Sequence, residues 1–217
     1  MPSKPALVDL LPDEMWTLVF EKLEYFDLRR VEGACKRFQE IMKAPELATT
    51  LFRTPPGKPL KPGDELVLHP LLDSIADLVG LYSHNPKVAI VRRWGLDGEA
   101  GDKVEKLNAL DLKAANEYAT MPACTKMTVN MAGYNVANLK CMTGVTAHMV
   151  IEASLAFWTA PVDAATQDHI RSLWWGPQDR PVTKLDLQGD HIWFEGFGCN
   201  KVHADGSVLL DAVRFAS

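Results

Sequence analysis

The sequence predicts an α+β fold: a three-helix N-terminal module, then a small α+β domain with antiparallel hairpins. Three observations predict it. Apolar residues keep helical spacing, with start and stop signals, as far as residue 53. The stretch TPPGKPLKPG, residues 54–63, then places four prolines and two glycines within ten residues, which neither a helix nor a central strand tolerates. Beyond it, alternating apolar runs with turn dipeptides are interleaved with helical runs. The chain of 217 residues thus divides into a module at 8–53, a Pro/Gly-rich linker at 54–63 and a domain at 64–217, the last of a size that builds its own core.

The elements follow in order. Pro12 fits the first position of a helix, where its missing N–H costs nothing. Asp13 and Glu14 then complement the positive end of the helix dipole. This helix is expected to run to about Glu24. Asp27 is a candidate N-cap for a second helix, LRRVEGA, and CKRFQEIMK forms the third, stopped by Ala44-Pro45. A last turn, ELATTLFR, leads into the linker. In the second part ELVLH alternates as a strand, LLDSIADLVGLY reads as a helix, and KVAIVRRW is a strand. CTKMTVNMAGYNVANLKCM is expected to form a hairpin turning near Gly133. TAHMVIEASLAFW and AATQDHIRSLWW are helical. VTKLDLQGDHIWFEGF and KVHADGSVLLDAVRF are expected as two further hairpins, the second closed by the tight-turn pair Asp205-Gly206.

Composition narrows the functional classes. Apolar residues make up 47% and charged residues 24%, as in ordinary globular proteins. The net charge is -5 with no basic run, so neither nucleic acid nor an anionic membrane is an expected partner. No apolar stretch approaches the ~20 residues of a membrane span, and the first residues do not read as a secretory signal. The four cysteines, Cys35, Cys124, Cys141 and Cys199, are far apart with no CxxC pair. They fit free thiols in a reducing compartment, cytoplasmic or nuclear.

The first helix raises a packing problem. At 100° per residue, Leu18, Met15, Val19, Leu23, Trp16 and Phe20 sweep an arc of roughly 200°. A helix on its own core needs an apolar stripe of roughly 100°. The surplus is a second face, to be covered either by the C-terminal domain or by another protein. Each large apolar side chain left in water forgoes ~1.5–3 kcal/mol.

Residues 11–38, LPDEMWTLVFEKLEYFDLRRVEGACKRF, resemble an F-box. Leu11-Pro12, Glu14-Met15, Val19-Phe20, Leu23, Asp27-Leu28 and Cys35-Lys36-Arg37-Phe38 fall in register without a gap. Ala34 departs from the pattern, which usually has a larger aliphatic residue before the cysteine. The resemblance implies a module that docks on a Skp-family adaptor and, through it, a cullin. The chain would then be a non-catalytic substrate receptor of a ubiquitin ligase, needing no cofactor and raising the effective concentration of its target. It nominates Leu11, Pro12, Met15, Val19, Phe20, Leu28, Val31 and Phe38 as a mixture of adaptor contacts and internal packing. For Phe38 and Cys35 the module's own core is an equal expectation.

The C-terminal part is expected to bind a target protein. LVLHPLLDSIADL, ANEYATMPACTKMTV and LDLQGDHIWFEGF resemble a small fungal domain of unknown function, which carries no mechanism. Trp158 and Trp193 sit in apolar periodic patterns and are expected in the core. Trp174 and Trp175 are adjacent and cannot both point inward from one helix face, so they are candidate substrate contacts. His191, Cys199, His203 and Asp205 are the densest group of potential ligands, but they lack the spacing of a metal site or a nucleophile with its orienting base. Two other readings remain: an adaptor-bound scaffold outside any ligase, and a small-molecule or enzymatic domain with a polar pocket.

Overall fold

The computed structural model describes residues 11–73, 75–77, 90–91, 108–173, 176–189, 193–194, 196–212 and 215–216. The chain divides into two compact units, Met1–Thr54 and Pro55–Ser217.

The first unit holds α1 (Asp13–Phe20), α2 (Tyr25–Glu32), α3 (Lys36–Ile41) and a 3-10 turn, Pro45–Leu47. Its centre is Phe20, Leu28, Met42, Leu47 and Leu51, all essentially inaccessible. Trp16, Phe20 and Phe38 form an aromatic cluster joining α1 to α3, with ring centroids 4.9–5.7 Å apart. Two expectations need correction. First, α1 ends at Phe20, not near Glu24. Tight turns close it, Lys22 N–H donating to Val19 and Leu23 N–H to Phe20. This lets α2 begin early enough to bury Tyr25 and Leu28, so packing overrides periodicity. Second, Asp27 is not a cap. It lies in the first turn of α2, 2.8 Å from Arg30.

The second unit has a four-stranded sheet whose strands lie in the order β6 (Tyr134–Lys140), β5 (Lys126–Met131), β9 (Val208–Ala212) and β8 (Phe197–Val202). The hairpin β5 (Lys126–Met131) with β6 (Tyr134–Lys140) turns at Gly133 as expected. The hairpin β8 (Phe197–Val202) with β9 (Val208–Ala212) turns through Asp205-Gly206. A parallel pairing of β5 with β9 joins them. Helix α5 (Ala147–Trp158), capped by the Thr146 hydroxyl, buries Val150, Ile151, Leu155 and Trp158 in one cluster with Met127, Val129, Met131, Val208 and Leu210. The Trp158 indole N–H donates to the Met131 sulfur at 3.4 Å, so its polar atom is satisfied inside the core. Helix α6 (Ala164–Ser172) is capped by Asp163.

Shorter elements complete this unit. β1 (Val67–Leu68) pairs with β4 (Thr120–Met121). The helix expected from Leu71 is instead α4 (Pro70–Asp73), followed by strand β2 (Ile75–Asp77) paired with β3 (Ile90–Val91). Ladder pairing claims residues whose spacing also fits a helix. The rest of that expected helix lies outside the described residues. VTKLDLQGDHIWFEGF is not a hairpin. Lys184–Gln188 is a 3-10 helix, and β7 (Trp193–Phe194) pairs with β10 (Phe215–Ala216). The cause is local: the Thr183 N–H and hydroxyl both donate to the Asp186 carboxylate, at 2.7 and 3.0 Å, diverting the backbone from a strand. Leu60, within the proline-rich stretch, is buried in the core of this unit.

Candidate functional site

In α1 the 200° apolar arc separates into two stripes. Trp16 and Phe20 turn toward α3, and Phe20 is 2% exposed. Met15, Leu18 and Val19 span the neighbouring ~100° of the helix and are 47%, 54% and 44% exposed. Leu11 and Pro12, ahead of the helix, are also exposed. A monomer core of this size has no use for three large apolar side chains in water, and such grouping marks interaction surfaces.

Three side chains, Arg37, Glu32 and Arg53, brace the unit that carries this stripe. Arg37 on α3 donates to the Asp13 carboxylate at 2.8 Å and to the carbonyl of Leu11 at 2.6 Å. Glu32 lies between Arg29, in close contact, and Arg53, at 3.0 Å. Partial burial would raise the Glu32 carboxyl, but hydrogen bonds from the two guanidiniums outweigh it and hold it below its ordinary value. Arg53 also donates to the carbonyl of Met42 at 3.1 Å.

The nominated residues therefore take different places. Leu11, Pro12, Met15 and Val19 present solvent-exposed surface. Phe20 and Leu28 are buried in the unit's own core, and Phe38 packs edge-on against Trp16 and Phe20. Val31 and Cys35 are half-buried. Leu18 and Phe26 were not nominated, yet each is more than half exposed. Leu18 was legible in the helical arc. Phe26 follows the buried Tyr25 by one residue, so α2 turns it away from the core.

Residues 8–54 match the F-box-like family model. The F-box-like domain covers under a quarter of the chain and coincides with the first compact unit. A domain of this family implies a Skp-like adaptor as partner. No curated protein and no solved structure matches the chain, so the resemblance of the C-terminal part to a fungal domain has no counterpart in these comparisons.

In the second unit Trp158 is fully buried, whereas Trp174 and Trp175 lie outside the described residues, as do His191 and the side chain of Trp193. Asp205 accepts hydrogen bonds from the Ser207 N–H and hydroxyl at 3.0 and 2.6 Å, and these hold its carboxyl below the usual value. It closes the β8–β9 turn beside the exposed His203. Among the described residues no group of three or more His, Cys, Asp or Glu could hold a metal ion, and no helix is long and apolar enough to cross a membrane. A buried polar pair links separate segments. His69 Nδ1 accepts from the Leu71 N–H at 3.1 Å, so the proton sits on Nε2, which faces Glu117 at 3.3 Å.

Proposed function

We propose that this protein is the substrate-recognition subunit of a Skp–cullin–F-box ubiquitin ligase. It docks on the adaptor through Leu11, Pro12, Met15, Leu18 and Val19, and it holds a target protein through its C-terminal unit. The observation that carries the reading is the solvated apolar stripe of α1, lying within the segment that matches the F-box-like model. The chain performs no chemistry in this reading. It brings target and ubiquitin-conjugating enzyme together in the cytoplasm or nucleus, where proximity replaces a chance encounter by a near-intramolecular one. The resemblance of the C-terminal sequence favours a fungal receptor.

The test is affinity purification of the full chain and of a form lacking residues 1–53, each analysed by mass spectrometry. Adaptor and cullin should vanish with the N-terminal module, while target proteins remain. Recovery of adaptor without cullin, and no stabilised target on deletion, would instead favour an adaptor-bound scaffold outside a ligase.

A further inference from the structure

The main sheet of the second unit has an open edge. Among the described residues β6 pairs only with β5. The Cys141 N–H donates to the carbonyl of Thr125, and in an antiparallel ladder such bonds recur at every second residue. The main-chain groups of Leu139 therefore turn to β5, at its pairing with Met127. Those of Asn138 and Lys140 turn outward, where no described group bonds them. A free strand edge is a template for another strand, and proteins commonly blunt it with charge, proline or a bulge. β6 has no proline and a single charge, Lys140 at its end. Its one register shift, at Val136, leaves Ala137–Lys140 in regular pairing. The Thr128 hydroxyl donates to the Asn138 side-chain oxygen at 3.0 Å, and the Asn138 amide to Asn135 at 3.2 Å. These polar side chains are thus engaged with one another and not with the main-chain edge.

Helix α5 supplies the other wall. Met149, Ala153 and Phe157 are four residues apart, so they form one row along the helix. All three are half-buried. α5 starts beyond the end of β6 and finishes beside its start, where the Phe157 and Tyr134 ring centroids are 5.8 Å apart. The row therefore runs back along the strand. Ala137 and Leu139 of β6 are half-buried as well, so an apolar strip lies beside the open edge. At its Phe157 end the Lys184 ammonium sits 3.8 Å from the ring centroid, and no carboxylate pairs with it among the described residues.

These features select one kind of occupant. Free amides and carbonyls at strand spacing match an extended main chain, and an apolar strip beside them takes its alternate side chains. The ammonium complements an acidic residue at one end. We propose that the outer edge of β6 receives an extended segment of a target protein. The segment adds a strand to the sheet, lays every second side chain on the Met149–Ala153–Phe157 row and sets an acidic residue beside Lys184. This rests on the reading that the C-terminal unit holds the target, and it names where and in what conformation.

The full chain is titrated with a short fluorescein-labelled peptide that alternates threonine and valine and ends in glutamate, with binding read by anisotropy. Two further versions carry N-methyl groups on alternate amides, one on the odd set and one on the even set. Pairing with β6 uses only one set. One version should therefore bind at least about tenfold more weakly, a loss of ~1.4 kcal/mol or more, and the other within about threefold of the plain peptide. Asn138→Pro removes an outward donor and no bond to β5. It should weaken the plain peptide at least about fivefold with the circular dichroism unchanged. Lys184→Glu should prefer the peptide ending in lysine. No binding by the natural chain, or equal weakening by both methylated peptides, overturns the proposal. So does a dimer in sedimentation that Asn138→Pro dissolves, which would give the edge to a second copy. Target proteins captured equally by the natural chain and Asn138→Pro would overturn it too, yet leave the receptor reading standing. Adaptor capture is read in parallel, and its absence strikes that reading alone.

Discussion

Arg37 reaches back from α3 to Asp13, its Nη2 2.7 Å from the carboxylate, and the same nitrogen donates to the carbonyl of Leu11. The Lys-Arg step of the F-box pattern thus fixes the residues that enter α1. Exposed ion pairs contribute only ~0–1 kcal/mol, so Arg37→Ala should leave the helical circular dichroism and thermal midpoint nearly unchanged. It should still weaken adaptor binding several-fold, because Leu11 and Pro12 lose their anchor. Arg37→Lys keeps the charge but not the forked geometry and should recover binding only in part. Isothermal titration against a Skp homologue checks both.

Glu32 gives the N-terminal unit an acid-sensitive joint. Its carboxyl is held below the ordinary value in the folded chain, so the native state favours the ionised form more than the unfolded chain does. The resulting stability is present above the ordinary carboxylate pKa, about 4.3, and is lost as pH falls through the lowered folded value. Glu32→Gln should remove this component. The unfolding midpoint of the variant, followed by helical signal from pH 7 to pH 3, should fall less steeply with acid than that of the natural protein.

Trp158 separates the two units experimentally. It is fully buried against Met131 and the sheet, and Trp→Ala substitutions at such positions cost ~3–5 kcal/mol. Trp158→Ala should unfold the C-terminal unit at a markedly lower temperature. Adaptor capture should survive, because none of the stripe residues belongs to that core. Differential scanning calorimetry alongside a pull-down measures both.

Glu117 offers a finer test of the same unit. Removing its carboxylate with Glu117→Ala takes away the acceptor facing His69 Nε2 in a site where His69 is inaccessible. A buried donor that loses its partner costs ~1–3 kcal/mol. Glu117→Gln, which keeps an acceptor oxygen, should lose less. Urea unfolding of the two variants should rank them in that order.

Much of this organisation was legible in the sequence, and the failures have specific causes. The N-terminal helices were marked by Pro12, Asp13 and Glu14 and by apolar spacing. Both hairpins of the main sheet were marked by alternation, as in Met127, Val129 and Met131, and by turn glycines at 133 and 206, whose φ angles are positive. Leu71, Leu72 and Ile75 fit a helical period equally well, and the pairing of Ile75 with Val91 is a long-range fact that no local window contains. Thr183 and Asp186 masked a 3-10 helix inside an alternating run, because a side-chain bond to the backbone leaves periodicity untouched. For the candidate site, the 200° arc showed that α1 has surplus apolar surface but not how it divides. The angular position of α3, carried by Phe38, assigns Trp16 and Phe20 inward and leaves Met15, Leu18 and Val19 in water.

Titration of a purified Skp homologue into the full chain decides whether the exposed α1 stripe is an adaptor-binding surface. The natural protein should bind, and Met15→Asp/Val19→Asp should lose at least about a hundredfold in affinity, ~2.7 kcal/mol, with its helical signal intact. Absence of measurable binding by the natural protein, or equal affinity for the folded double variant, would show that the stripe is not an adaptor-binding surface.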